Sequence, residues 1–214
     1  MSYFVFDTET TGIGAGAVLD KKGSVSVNDE VIQFAGLLLD ESLRLKKVIS
    51  FHCYTAVPIY PKAQAVNHLD HQKLMKYSGG RTFEDFFLNQ SDLHSDDITW
   101  VGYNVKFDMR VINNTLKQNG LDVYDFGTCI KTLRSRVNGR CYFDLLESLA
   151  MRNGGIRMKL VQAAKSLPYT EQQLNAMYGK LLQLTNNKSD LTFHDALYDS
   201  LVTWLLLVQN EEWC

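Results

Sequence analysis

Large β-forming side chains crowd the start of the chain, where YFVF at residues 3–6 runs straight into the carboxylates Asp7 and Glu9. This pattern predicts a first strand over Tyr3–Asp7. Two more are predicted over Val31–Leu39 and Leu43–Phe51, joined at Asp40–Ser42 by a turn short enough for an antiparallel hairpin. Between the first and second strands, GIGAGAVLDKKGSVSVNDE reads as a mobile loop or an extra hairpin. Helical segments follow around Lys62–Tyr77 and from Thr82 to about Leu93. ITWVGYN (98–104) reads as a fourth strand, running into a helix over Val105–Asn119 that Gly120 stops, with Leu121–Tyr124 as a short fifth strand. From Thr128 on the pattern is mostly helical. It closes with LTFHDALYDSLVTWLLLVQN, where Thr192 and Asp195 have the spacing of a capping box. A strand meander followed by β–α alternation predicts a mixed α/β fold, a five-stranded sheet with helices on both faces.

Composition narrows the partners. The 214 residues suit one domain, 1–214, and 45% hydrophobic with 21% charged residues is a globular balance. A net charge of −2 advertises no global affinity for nucleic acid, which disfavours a passive coating role but leaves room for local metal-assisted contact with phosphate. Cys53, Cys129, Cys141 and Cys214 are scattered, with no paired or Cys/His spacing, arguing against structural zinc or a disulfide framework and for a reducing cytoplasm. The start lacks the charge and apolar stretch of a signal peptide, and the run LVTWLLLV (201–208) is too short to span a bilayer, so no membrane partner is expected.

Three places carry candidate chemistry. On a strand, Asp7 and Glu9 at i and i+2 project from one face, and two converging carboxylates call for a proton or a cation, with hard oxygen ligands suiting Mg²⁺ or Mn²⁺. In VGYNVKFDMRVI, Asn104 is placed as an N-cap, and Asp108 falls in the helix's first turn, so both can address the same strand end. In FHDALYDSLV, His194 and Asp199 are five residues apart, about 140° around an ideal helix, and share a site only if His194 sits on a loosened first turn. That helix is apolar at Leu197, Leu201, Trp204, Leu205 and Val208, so an inward Asp199 would need a partner. Asp195 competes for the acidic role, but its capping position already accounts for it.

Taken in order, FDTETTG, GYNVKFD and HDALYD resemble the three motifs of the DEDDh (DnaQ-like) 3′→5′ exonucleases, of RNase H-like fold, and the resemblance covers nearly the whole chain. It implies that Asp7, Glu9, Asp108 and Asp199 hold two divalent ions, Mg²⁺ or Mn²⁺, with Asp7 bridging, and that His194 is the general base. VPIYPKAQAVNHLD (57–70) looks like the segment that contacts the terminal nucleotide in this family. The resemblance thus implies substrate contacts at Thr8, Thr10, Val66, Asn67, Leu69 and Asn104, with Val66 and Leu69 as the wedge against the terminal base. Many relatives carry His-Gly-Ile where this chain has Asn67-His68-Leu69. The implied substrate is the 3′ end of nucleic acid, single-stranded DNA first and RNA as an alternative, with no polymerase partner evident.

Rival readings remain. GIGAGA (12–17) fits a dinucleotide fingerprint, but it neither closes the strand nor opens a helix, and it is rejected as a loop. A non-catalytic binding module of the same fold would be expected to lack one of the five acidic or histidine residues, and all are present. An exoribonuclease stays open: no basic-aromatic RNA signature is evident, yet the same catalytic core serves both sugars.

Overall fold

Alternation along the first strand decides how the molecule is layered. In the computed structural model, which describes residues 2–12, 18–19, 25–26, 29–133, 139–185 and 195–210, β1 runs over Ser2–Thr10. It sends Phe4 and Phe6 to one side and Tyr3 and Val5 to the other, and each pair joins a separate core. A small antiparallel pair, β2 (Val18–Leu19) with β3 (Val25–Ser26), lies within the stretch expected to be a loop or an extra hairpin. β4 (Val31–Leu39) and β5 (Leu45–His52) form the expected antiparallel hairpin. Helices α1 (Pro61–Asn67), α2 (His71–Ser78) and α3 (Phe83–Phe87) follow, then β6 (Ile98–Gly102) and α4 (Val105–Gln118). The remaining elements are β7 (Thr128–Ile130), β8 (Cys141–Asp144), α5 (Leu145–Arg152), α6 (Leu160–Ala163), α7 (Glu171–Gln183) and α8 (Ala196–Gln209).

The sheet has six strands, not five, in the order β5-β4-β1-β6-β8-β7. β1, β6, β8 and β7 run parallel, while β4 is antiparallel to both neighbours. The expected fifth strand, Leu121–Tyr124, is not one. Its backbone finds a side chain instead: Tyr124 N–H donates to Asn113 Oδ1 (2.7 Å) and Asn113 Nδ2 donates to the Tyr124 carbonyl (3.2 Å). β7 and β8, in the stretch expected to be helical, take the sheet positions. At three and four residues they are too short to show a period. The helix expected over Lys62–Tyr77 is two helices, because His68 turns left-handed (φ 58°) and Asp70 starts α2 by accepting from Lys73 N–H (2.7 Å). The Thr82–Leu93 segment divides likewise, into α3 and a single 3₁₀ turn at Ser91–His94.

On one face, Trp100 of β6 packs edge-on to Phe4 and Phe6 (ring centroids 5.1 and 5.0 Å), with Phe34, Phe83 and Phe87 completing an aromatic core beneath α3 and α4. Gly36 makes room for it: a Cβ there would lie 2.3 Å from Phe4 Cζ. On the other face, Tyr3, Val5, Ala35 and Leu37 pack against α7 and α8. Here α8 is buried on nearly every side, more deeply than a one-sided apolar stripe implies, with Tyr198, Val202 and Leu206 inside as well as Leu197, Leu201 and Leu205. No helix among the described residues is long and apolar enough to cross a membrane.

A helix so enclosed must have the polar groups of its first turn satisfied internally. Asp195 is the N-cap, and its Oδ1 accepts from Leu197 and Tyr198 N–H. Gln33, a polar residue in the otherwise apolar and fully buried β4, completes the arrangement. Its Nε2 donates to Asp195 Oδ2 (2.7 Å) and its Oε1 accepts from Ala196 N–H (3.2 Å). One amide thereby fastens the start of α8 to the sheet. Replacement Gln33→Leu removes both contacts inside the core, and urea denaturation should show a loss of about 1–3 kcal/mol. An unchanged unfolding free energy would mean that the amide does not anchor the helix.

Candidate active site

The alternation that splits the core also sorts the polar end of β1. Asp7 and Glu9 continue the face of Tyr3 and Val5, toward α8, and the first turn of α8 returns Asp199 to them. Oxygens of Asp7, Glu9 and Asp199 all lie within 4.8 Å of one another. Thr8 points the other way, toward α4, where its N–H (3.1 Å) and hydroxyl (2.6 Å) both donate to Asp108 Oδ1. Strand and helix thus bring the four expected carboxylates to one cavity of about 440 Å³, at the C-terminal end of β1.

Repulsion dominates there. Burial, then Asp108, Asp199, Glu9 and Asp195, push the Asp7 carboxyl well above the usual range. Glu9 is raised by burial and by Asp199, Asp195 and Asp108, against a hydrogen bond from Asn67 that lowers it. Asp108 is pushed up to about 7 by burial, even though Thr8 opposes the shift, and Asp199 to about 7 by burial and then by Asp195. The charged neighbours that raise these groups are all carboxylates. Hard oxygens gathered within one cation's reach are a donor set that fits Mg²⁺ or Mn²⁺.

The other expected site residues divide. Thr8 is a buried orienter of Asp108, and Thr10 is buried with its hydroxyl donating to the Gly12 carbonyl. Asn67 is buried, donates from Nδ2 to the Thr10 carbonyl (3.2 Å) and bonds Glu9, so it braces the carboxylate strand from behind. Leu69 has no exposed surface and packs with Ile32 and Leu74, which corrects its expected place in the wedge. Val66 is 44% exposed. His68 sits between them in the left-handed conformation that glycine adopts without strain, at the position where many relatives carry glycine. Asn104 lines the cavity, but it does not cap α4 with its side chain. It too is left-handed (φ 71°), and its N–H donates to Asp144 Oδ1 (3.2 Å). His194 and Thr192 lie outside the described residues.

Sequence reasoning passed over several residues that shape the site. Gln33 was legible as the lone amide in an apolar strand. Asp195 is itself the N-cap of α8, where the capping-box spacing had placed it three residues into the helix, and it also adds negative charge to Asp199 and Glu9. Asp144 caps α5 through Glu147 N–H (3.3 Å) as well as holding Asn104. Tyr103, its phenol pushed up to about 12 by burial and then by Asp144, stays a donor and bonds the Met158 carbonyl (2.7 Å). That bond ties the 156–159 segment, with Arg157 and Lys159, to the cavity wall.

These shifts have a stability consequence of definite sign. In the metal-free protein the folded state keeps protons on Asp108 and Asp199 up to about pH 7, whereas the unfolded chain releases them near the ordinary carboxylate value of 3.8. The folded state binds more protons across that window, so this contribution to stability is present at low pH and is lost as pH rises through about 7. Chelator-treated protein should therefore have a lower urea midpoint at pH 8 than at pH 5. An equal or higher midpoint at pH 8 would contradict the crowding of these carboxylates.

Comparison with curated proteins gives no match. Among solved structures, the chain resembles exonuclease I of E. coli in complex with a dA16 oligonucleotide, at 20% identity and a TM-score of 0.61, over 99% of this chain and 41% of that one. It also resembles a moderately thermophilic exonuclease I from Methylocaldum szegediense, at 23% identity and a TM-score of 0.59, over 99% and 41%. At these identities the likeness is one of fold, and the chain spans about two fifths of the length of those proteins. The expected RNase H-like architecture is confirmed. Residues 4–207, which include β1, α4 and the part of α8 that carries Asp199, match the RNase_T family model, described as Exonuclease; the chain belongs to that exonuclease family, the DnaQ-like group that its three motifs resemble.

Proposed function

We propose that this protein is a metal-dependent 3′→5′ exonuclease that removes nucleotides from single-stranded DNA, with residues 1–214 acting as one exonuclease domain. The observation that carries the reading is the convergence of Asp7, Glu9 and Asp199 within 4.8 Å, with Asp108 held beside them by Thr8. The four carboxylates would hold two divalent ions, Mg²⁺ or Mn²⁺. When bound, such ions supply an activated water and charge stabilisation at the scissile phosphodiester. The chain's own part is to orient and to move a proton. Thr8 fixes the rotamer of Asp108, Asn67 braces Glu9, and Gln33 holds the helix that carries Asp199. His194, one residue before the α8 cap, would take the proton of the attacking water as an imidazole that titrates near neutrality. Val66 offers an apolar surface on which an unpaired terminal base stacks, which favours a single strand. Membership of the exonuclease family supports the reaction class, and the fold shared with an exonuclease I bound to dA16 supports the substrate.

A 5′-labelled oligodeoxynucleotide incubated with Mg²⁺ should shorten stepwise from its 3′ end, and excess chelator should stop it. Asp7→Asn should lower the rate by about 10³-fold or more, since several kcal/mol of charge stabilisation depend on that ligand. Immediate release of the 5′ label as a mononucleotide, or undiminished cleavage in chelator, would refute the assignment.

For His194, the expected loss in His194→Ala is about 10²–10⁴-fold in kcat, the usual range for a general base. The wild-type rate should fall as pH drops through the imidazole pKa, and the variant should lack that acid limb. A variant that keeps both the rate and the limb would remove His194 from the chemistry.

A further inference from the structure

The catalytic cavity does not end at the carboxylates. A second cavity of about 280 Å³ adjoins it, and Arg157 lines both. The two follow the sheet: β1 ends at the acidic cluster, β6 leads into Tyr103 and Asn104, β8 ends at Asp144, and β7 leads into Lys131. These strands are parallel neighbours, so the trough crosses their C-terminal ends, where ligands of such sheets lie. At one strand spacing per step, Lys131's strand is about 14 Å from that of Asp7.

Charge changes sign along the trough. The first cavity holds Asp7, Glu9, Asp108 and Asp199, with Tyr103 and Phe107 as aromatic walls. The second presents Lys106, Lys131 and Arg157 around Asp144 and Glu147. Both acids are engaged: Asp144 accepts the N–H groups of Asn104 and Glu147, and Glu147 forms an ion pair with Arg157. Among the described residues, no carboxylate forms an ion pair with Lys106 or Lys131, and both are exposed. In a chain of net charge −2, two lysines that continue the groove from a phosphodiester-cutting site are placed to meet phosphates.

We propose that this second cavity is a phosphate-holding subsite for the retained strand, 5′ to the bond being cut, with Lys106 and Lys131 as its binding cations. The inference rests on the exonuclease reading above. Phosphate contacts of this kind position a strand without reading its bases, so the subsite adds affinity with length and no sequence preference.

The test compares wild type with a Lys106→Ala/Lys131→Ala double variant on thymidine oligomers in Mg²⁺, from dinucleotide to octanucleotide, at several salt concentrations. For the octanucleotide, KM should rise about tenfold, as for two exposed charge contacts. The slope of log(kcat/KM) against log[salt] should become shallower by about 1.4, or about 0.7 per phosphate contact. The dinucleotide, too short to reach the lysines, should show a much smaller rise. Restoring charge with Lys106→Arg/Lys131→Arg should recover most of the affinity. A KM change that is absent, or equal at all lengths, in an otherwise active enzyme overturns the subsite and leaves the exonuclease reading intact. Failure of wild type to cleave any oligomer overturns the exonuclease reading, and the subsite falls with it.

Discussion

Four carboxylates brought together at the end of one strand repel one another, and this repulsion is the constraint around which the molecule is organised. Left to themselves, such groups would turn to water or keep their protons. Here each is prevented from turning away by an element that has other reasons to be where it is. β1 is the central strand, covered on both faces, so Asp7 and Glu9 cannot leave without unzipping the sheet. Asp108 is clamped by two donors from Thr8, and Asp199 rides on a helix fixed by Asp195 and Gln33. Holding the four carboxylates in this way places the cost of gathering them in folding.

The bracing residues share a pattern. Each uses one side chain to satisfy a buried polar group and to set the position of an acid. Asn67 bonds the β1 backbone and Glu9 together, and Gln33 bonds both a helix cap and a helix N–H. Asp144 plays the same part for the turn into α4, where Asn104 accepts a left-handed backbone that brings Asp108 round to the strand end. Asparagine tolerates this conformation better than most residues, which gives it a backbone role at that position as well as a place on the cavity wall.

Much of this was legible in the sequence, and the parts that were not have physical reasons. The first strand and its acids, the β4–β5 hairpin, helix α4 and the acid-bearing C-terminal helix follow from apolar periodicity and turn chemistry, because they are long enough to show a period. β7 and β8 are not, and the residues 121–124 read as a strand have strand character but are matched by Asn113 rather than by a neighbour. The resemblance of its segment places Leu69 in a surface wedge, but likeness along the chain cannot tell an exposed apolar residue from one that closes a small core with Ile32 and Leu74. Gln33 and Tyr103 were missed for the opposite reason: their importance lies in partners far along the chain, at Asp195 and Met158.

The fastening of α8 to β4 joins residues 162 positions apart in sequence. Contacts of such separation are formed late, because the intervening loop must be closed before they stabilise anything. Until residues 195–210 have been synthesised, one face of β1 lacks its covering helix, and the apolar row Tyr3, Val5, Ala35 and Leu37 remains open to solvent or to other chains. On a ribosome that interval lasts while the residues between β1 and α8 are made, since the strand is made well before its cover. The burial that makes α8 a fixed carrier of Asp199 also leaves the nascent chain with an apolar sheet face uncovered until that helix is made.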